Sequence, residues 1–266
     1  MTSTQLAVGR ASSAAYAYDT LGDAYDVLTS NYCHDVWLDR IEQLAHEHGL
    51  AGRRLLDIAC GTGKSFLPLA ARGYQVTACD ISPKMVEIAR AKNTDAELHV
   101  ADMRELDQLG EFDLITCLDD AVNYLLTEDE LDAFLAGVAR NLARSGIAVF
   151  DLNSLKVYRE GFARDWLIDD PAAFIAWTAR ATEPATSGGL MTATIHLFSP
   201  AGTLWTRRTS RHEQRHWPTD EIVTGAESAG LQISALYGQR RGALLEPWFD
   251  EREHDKALYF ATHERR

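Results

Sequence analysis

The chain has 266 residues, with 26 Lys plus Arg against 39 Asp plus Glu, a formal net charge of −13. That length spans one large domain or two small ones and can bury a core without disulfide or metal staples. The acidic balance argues against nucleic acid as a partner, because a phosphate backbone is bound chiefly by basic surface.

The opening segment, MTSTQLAVGRASSAAYAYD, has no long apolar run behind a basic one. Neither a signal peptide nor a membrane span is expected, and the protein reads as soluble and cytoplasmic. Between Tyr16 and Gly49, Tyr18, Leu21, Tyr25 and Leu28, then Trp37, Leu38, Ile41 and Leu44, recur at helical spacing, which predicts two helices with Gly49 as a stop. A regular alternation follows: strand 54–59, helix 64–72, strand 75–80, helix 83–92, strands 96–100 and 112–118, helix 128–143 and strand 146–152. Ser82 and Pro83 form a helix start signal, and the run TEDELD at 127–132 reads as an acidic first turn. Strands that are apolar on both faces and alternate with helices imply a parallel sheet covered on both sides.

The alternation stops after Asn153. Residues 154–217 are rich in aromatic and β-branched residues, with a Ser-Gly-Gly tip at 187–189, and MTATIHLFSP followed by TLWTRRTSRHEQRHW alternates at period two. An antiparallel insertion led by short helices is expected. Helix 218–229, stopped by Gly230, then precedes strand 231–237 and a last strand near 256–263. The fold class is therefore α/β, a doubly wound sheet with N-terminal helices and a β-rich antiparallel cap. Cys33, Cys60, Cys79 and Cys117 show no CxxC spacing and no paired His, so reduced structural thiols and no metal are expected.

The chemistry concentrates in LLDIACGTGKS at 55–65. A P-loop needs a glycine five residues before Gly63, and position 58 is Ile. A dinucleotide fingerprint needs a third glycine where Phe66 stands, and Asp57 would repel a pyrophosphate. An acid at a strand end suits a cationic ligand instead.

The stretch LLDIACGTGKSFLPLAARGYQVTACDIS resembles the opening of the class I S-adenosylmethionine-dependent methyltransferases. VADMRELD and FDLITCLDDAVNYLLTEDEL extend the resemblance in order over residues 54–152. It implies a Rossmann-like core with S-adenosylmethionine as cofactor. Asp57, Ala59, Gly61 and Gly63 would lie by its methionine portion, Ala59 standing where many members have Gly and needing only an ordinary φ. Asp80, 23 residues beyond Asp57, would accept the ribose hydroxyls. Asp102 and Met103 would meet the adenine, with Ile81 on its other face. Residues 1–50 would form a helical lid, 51–153 the cofactor-binding core, 154–217 a cap for the acceptor, and 218–266 the completion of the core sheet.

Ligands in open α/β sheets lie at the carboxyl ends of the strands, so Leu118, Asp119, Asp120 and Asn123 should face the transferred methyl. Strand alternation in RHEQRHW sends His212, Gln214 and His216 to one face and Arg211, Glu213, Arg215 and Trp217 to the other. His212 is thereby a candidate base if the first face closes on the acceptor; each of these residues also fits a plain surface strand. Tyr16, Tyr18, Tyr25 and Trp37 are expected over the cofactor as a lid, or as the stripe by which the helices dock. Trp166, Trp177, Trp205 and Trp217 give the cap aromatic walls. Cys60 reads as structural, and Lys64 as a surface contact.

The expected activity is methyl transfer from S-adenosylmethionine to a small-molecule acceptor, an amine of specialised metabolism. Two alternatives stand beside it: C- or O-methylation of an indole- or phenol-like ring, and a protein that binds the cofactor without catalysis. An NAD enzyme is disfavoured by the missing glycine and by the absence of a Tyr-x-x-x-Lys pair after the fourth strand. No nucleic acid or membrane partner is expected, and a homodimer is one expected assembly.

Overall fold

The structure is a computed structural model that describes residues 14–32, 34–92, 95–180 and 184–264. Cys33 and the tail before residue 14 lie outside the described residues. Twelve strands form two sheets among them. The larger contains β1 (Arg54–Ile58), β2 (Gln75–Asp80), β3 (Glu97–Val100), β4 (Phe112–Cys117) and β5 (Leu142–Asn153). The smaller contains β6 (Trp166–Asp170), β7 (Ala173–Ala179), β8 (Leu190–Ala201) and β9 (Leu204–Arg215). β10 (Leu231–Arg240), β11 (Leu244–Glu246) and β12 (Lys256–His263) return to the larger sheet. Its order is β3-β2-β1-β4-β5-β12-β10-β11. The first five strands pair in parallel, and β12 enters antiparallel between β5 and β10. The connection reverses direction between β1 and β4, which opens a crevice at their carboxyl ends.

The helices follow from local signals. Residues 14–21 are helical (α1) and run through a 3-10 turn at Gly22–Ala24 into α2 (Tyr25–Leu28). Next come α3 (His34–Glu47), α4 (Leu67–Ala71), α5 (Pro83–Lys92), α6 (Glu128–Asn141), α7 (Leu155–Val157) and α8 (Thr219–Ser228). Ser82 caps α5 by accepting from the Met85 N–H, and Thr127 and Glu130 close a reciprocal capping box on α6. Helix α4 is shorter than expected, because residues 61–66 form turns and the helix starts only at Leu67. β5 begins at Leu142, directly after α6, rather than at 146. The cap turns at 187–188, within the expected Ser-Gly-Gly tip ahead of β8, and again in a tight hairpin at Gly202-Thr203 between β8 and β9.

Two apolar clusters cover the two faces of the large sheet. One centres on Leu56, Ile115, Phe134 and Phe150, the other on Leu55, Leu114, Trp37 and Phe260. A third cluster joins Leu21 and Ala24 of the N-terminal segment to Met85 of α5 and to Ile175, Ile195 and Leu197 of the cap. The N-terminal segment is therefore held between core and cap. Its docking is completed by Asp26, which accepts from Thr62 Oγ1 at 2.6 Å and from Lys92 Nζ at 2.6 Å.

The carboxyl edge of the sheet is tied by a buried cation. Lys256, at the start of β12, donates to Asp151 Oδ2 at 2.7 Å and to Asp120 Oδ1 at 3.0 Å. Burial opposes its charge, but Asp151, Asp120 and Asp119 outweigh that and hold the ammonium well above the usual lysine range. Lys256→Met is expected to lower unfolding free energy by about 3–5 kcal/mol, because carboxylates would be left buried without a counter-charge. Denaturant titration of the variant checks this.

Candidate active site

A cavity of about 970 Å³, including the open space at its mouth, lies at the carboxyl ends of β1, β2 and β4. The glycine turn after β1 forms its floor. Asp80 shapes that turn: one oxygen accepts the Gly61 N–H at 2.8 Å and the other the Ser82 N–H at 2.8 Å. Each oxygen retains capacity for a further donor. Burial raises Asp80 to about 6, partly offset by those two N–H groups. Gly61 has φ +52, and a Cβ there would stand 3.4 Å from the ring of Tyr25, which closes over the turn.

Ala59, Gly61, Asp80 and Ile81 line the cavity from the first two strands, Asp102 and Met103 from beyond β3, and Leu118 and Asp119 from beyond β4. Tyr18 and Tyr25 roof it from the N-terminal segment. Ala59 does not have the ordinary φ expected of it: its φ is +57, and Asp119 and Asp120 follow at +61 and +55. Left-handed backbone costs a non-glycine residue roughly 1–2 kcal/mol, less for Asp, so the surrounding bonds must hold these turns in place. For Asp119 the bond comes from His34, whose Nε2 lies 2.7 Å from Oδ2. Burial pushes the Asp119 carboxyl up, but His34 and Lys256 outweigh it and hold it below the usual range. Its other oxygen, Oδ1, is buried with no hydrogen-bond partner among the described residues. An anionic oxygen in that state is a ready acceptor for a ligand N–H.

Five expected site residues, Asp57, Gly63, Asp120, Asn123 and His212, do not line the cavity; the Asp120 carboxylate turns instead to Gln214 and Lys256. Asp57 is fully buried and accepts from Ser65 Oγ and from Thr116 Oγ1. It fastens the glycine turn to β1 and β4, and burial pushes it up to about 7. Gly63 has φ +92 and gives way to the Phe66 ring, which a Cβ would meet at 3.0 Å. Asn123 is fully buried, with Oδ1 accepting the Asn153 N–H and Nδ2 donating to the Arg215 carbonyl. His212 is 2% exposed, with Nδ1 2.8 Å from Tyr124 Oη and Nε2 2.9 Å from Ser210 Oγ. Both ring nitrogens are thus engaged, and burial lowers its pKa to about 4.

The face of β9 that meets the cavity is the opposite one, carrying Arg211 and Glu213. Gln214 instead donates to Asp120 Oδ2 at 2.7 Å. Trp217 lies past the strand end, buried beneath the Arg215 guanidinium, which stands 3.8 Å from its ring centre. Tyr16 is 64% exposed and Trp37 is buried in the core, so of the expected lid aromatics Tyr18 and Tyr25 reach the cavity. Lys64 is more than a surface contact: it donates to the Asp26 carbonyl and to Thr29 Oγ1, binding the roof to the turn. Sequence reasoning missed His34, 85 residues from Asp119 with no local signal. It also missed Lys256, Tyr124, and the ion pairs of Arg104 with Asp102 and Glu130. The last was the most readable, since Arg104 stands two residues from Asp102.

A family model described as a methyltransferase domain matches residues 55–146. YqeM of Bacillus subtilis (strain 168), a methyltransferase by name, is 31% identical over 224 residues, covering 81% of this chain and 87% of its own. The chain belongs to the class I S-adenosylmethionine-dependent methyltransferases. The cypemycin N-terminal methyltransferase of Streptomyces sp is 28% identical over 227 residues, covering 84% of this chain and 90% of its own. A crystal structure of an S-adenosylmethionine-dependent methyltransferase from Clostridium acetobutylicum ATCC 824 superposes with a TM-score of 0.78 at 24% identity, covering 92% of this chain and 98% of that one.

The cofactor of this methyltransferase is S-adenosylmethionine, and the cavity fits its chemistry: carboxylates for a cation and hydroxyls, a Cβ-free turn for close approach, and apolar walls from Ile81 and Met103. When bound, the cofactor supplies a sulfonium methyl open to in-line displacement. Among the described residues no helix is long and apolar enough to cross a membrane.

Two pH effects follow from the buried groups. A ligand that donates to Asp80 or carries positive charge favours the ionised carboxylate, which exists above about pH 6. Cofactor affinity is expected to fall as pH drops through that value, and calorimetric titration at pH 8 and pH 5 should show a several-fold loss that Asp80→Asn abolishes. His212 binds its proton near pH 4 when folded but near 6.5 when unfolded, so the unfolded chain takes it up first and stability is lost as pH falls from about 6.5 to about 4. His212→Gln should therefore be less sensitive to acid by roughly 1–2 kcal/mol between pH 7 and pH 5, read from unfolding midpoints.

Proposed function

We propose that this methyltransferase acts on an amine nitrogen of a small molecule in specialised metabolism. The observation that carries this is the buried Oδ1 of an ionised Asp119, without a partner among the described residues, in a cavity roofed by Tyr18 and Tyr25. As the methyl leaves sulfur, positive charge moves to the attacking nitrogen. An acceptor oxygen placed there stabilises the nitrogen more strongly in the transition state than before it. The same carboxylates oppose a phenolate nucleophile, because neighbouring negative charge raises a phenol's pKa and keeps it protonated.

In this reading the glycine turn and Asp80 hold the methionine and ribose portions, while Asp102, Met103 and Ile81 surround the adenine. Residues 1–50 act as lid, 51–153 with 218–266 as core, and 154–217 as cap over the acceptor. Tyr18 and Tyr25 exclude water and present aromatic faces to a cationic centre. His212 acts indirectly, by orienting Tyr124 through its 2.8 Å contact. Likeness to the cypemycin N-terminal methyltransferase supports nitrogen as the acceptor atom.

The test is a panel of amines, indoles and phenols incubated with methyl-labelled S-adenosylmethionine, with product structure read by NMR. An N-methyl product is expected; a methyl found on carbon or oxygen would overturn the assignment. Asp119→Asn is expected to lower kcat by roughly 10–100-fold with a smaller change in cofactor affinity.

A further inference from the structure

Beyond β3 the wall of the cofactor cavity carries three largely buried charges in contact. Asp102 stands before the 3-10 turn Met103–Glu105, and its Oδ1 accepts the Arg104 N–H at 3.0 Å, as an ordinary turn cap does. The Arg104 side chain then doubles back onto the same carboxylate. Its Nε lies 2.9 Å from Oδ1 and 3.1 Å from Oδ2, and its Nη2 lies 2.5 Å from Oδ2. Nη1 donates to Glu130 Oε1 at 3.0 Å. Asp102, Arg104 and Glu130 all line the cavity.

The turn needs no guanidinium to stay in place. Further along, Arg140 Nη1 donates to the Leu106 carbonyl at 2.6 Å, while the Asn141 side chain accepts the Leu109 N–H at 2.7 Å and donates to the Asp107 carbonyl at 2.9 Å. These bonds already fasten the loop to α6. Withdrawing a guanidinium and two carboxylates from water carries a desolvation penalty that a cap alone does not require. What Arg104 adds is control over the carboxylate. A free carboxylate offers about four acceptor positions in many directions. Here the Arg104 N–H and Nε fill Oδ1 and Nη2 takes one position on Oδ2, so a single acceptor position is left, and the planar fork fixes the plane in which it lies. Glu130 is restrained in turn, its Oε2 accepting the N–H groups of Leu126 and Thr127. The corner holds one more carboxylate than guanidinium. Its residual negative charge suits a base edge that ends in an amino group and repels one that ends in a carbonyl oxygen.

We propose that Arg104 sets the base selectivity of the cofactor site. By clamping Asp102 it presents one acceptor position to an N–H of the exocyclic amine of adenine, and a base with a carbonyl at that place is rejected. Arg104 is thus a positioning residue that acts through Asp102. The inference rests on the reading that Asp102 meets the adenine, and it adds the residue that makes this contact selective.

The experiment titrates the full chain calorimetrically with S-adenosylhomocysteine and with S-inosylhomocysteine, in which a carbonyl oxygen replaces the exocyclic amine. The unaltered chain is expected to bind the adenosyl compound at least roughly tenfold more tightly, because the inosyl compound leaves a buried acceptor unpaired. Arg104→Lys keeps the charge without the fork, and Arg104→Gln removes both. In each variant the adenosyl compound is expected to weaken and the ratio of the two affinities to fall by roughly fivefold or more. A ratio that holds in either variant, including one in which both compounds weaken in equal proportion, assigns Arg104 to structure alone and overturns the proposal. Equal affinity of the unaltered chain for the two compounds instead sinks the adenine reading of Asp102, and this proposal with it. The failure of each is therefore read from a different protein sample.

Discussion

The arrangement of the catalytic edge depends on one buried ammonium. Lys256 enters from the antiparallel strand β12 and bonds to the end of β5 through Asp151 and to the turn after β4 through Asp120. Two strands and a turn that the chain visits at widely separated points are thereby held to one geometry. A lysine is costly to bury, and this one remains charged because three carboxylates converge on it. The same charge helps keep Asp119 ionised. The electrostatics of the site thus originate on the side of the sheet away from the glycine turn, in the strand that completes the fold last.

Around that anchor the backbone is held in conformations that it would otherwise avoid. Ala59, Asp119 and Asp120 all have left-handed φ values at the carboxyl ends of β1 and β4. The Asp120 N–H donates to Asp151, its side chain accepts from Gln214 and Lys256, and Asp119 is bonded to His34. Each bond reaches a different element: β5, the cap, the returning edge of the sheet and the N-terminal helices. The cavity wall is therefore a property of the assembled molecule and not of the core sheet alone, which is consistent with the way the N-terminal segment is packed between core and cap.

These dependencies explain what could be read in advance. β2 and α5 were legible to the residue, because alternation, Ser82 and Pro83 are local signals. Asp80, Ile81, Asp102 and Met103, named through the family resemblance, do line the cavity, because each stands just past a strand end. Ala59 misled, because nothing in an alanine shows that its neighbours will force a positive φ. His212 misled for another reason. Period-two alternation correctly grouped His212, Gln214 and His216 as one buried face, but burial against Tyr124 and Ser210 and exposure to the cavity look identical in a one-dimensional pattern. His34, Lys256 and Gln214 were not legible as site residues, because each acquires its role from a partner far along the chain.

The three described thiols carry a further consequence. Cys60, Cys79 and Cys117 are buried at or near the ends of β1, β2 and β4, and burial pushes Cys79 up to about 12 and the other two well above the usual thiol range. In the closed structure they have neither the exposure nor the thiolate that an alkylating reagent requires. Their labelling must wait for the carboxyl edge to open, so its rate under fast reclosing reports the free energy of that opening, element by element. The molecule thus contains its own gauge of local stability beneath the cavity floor, readable without any substrate in hand.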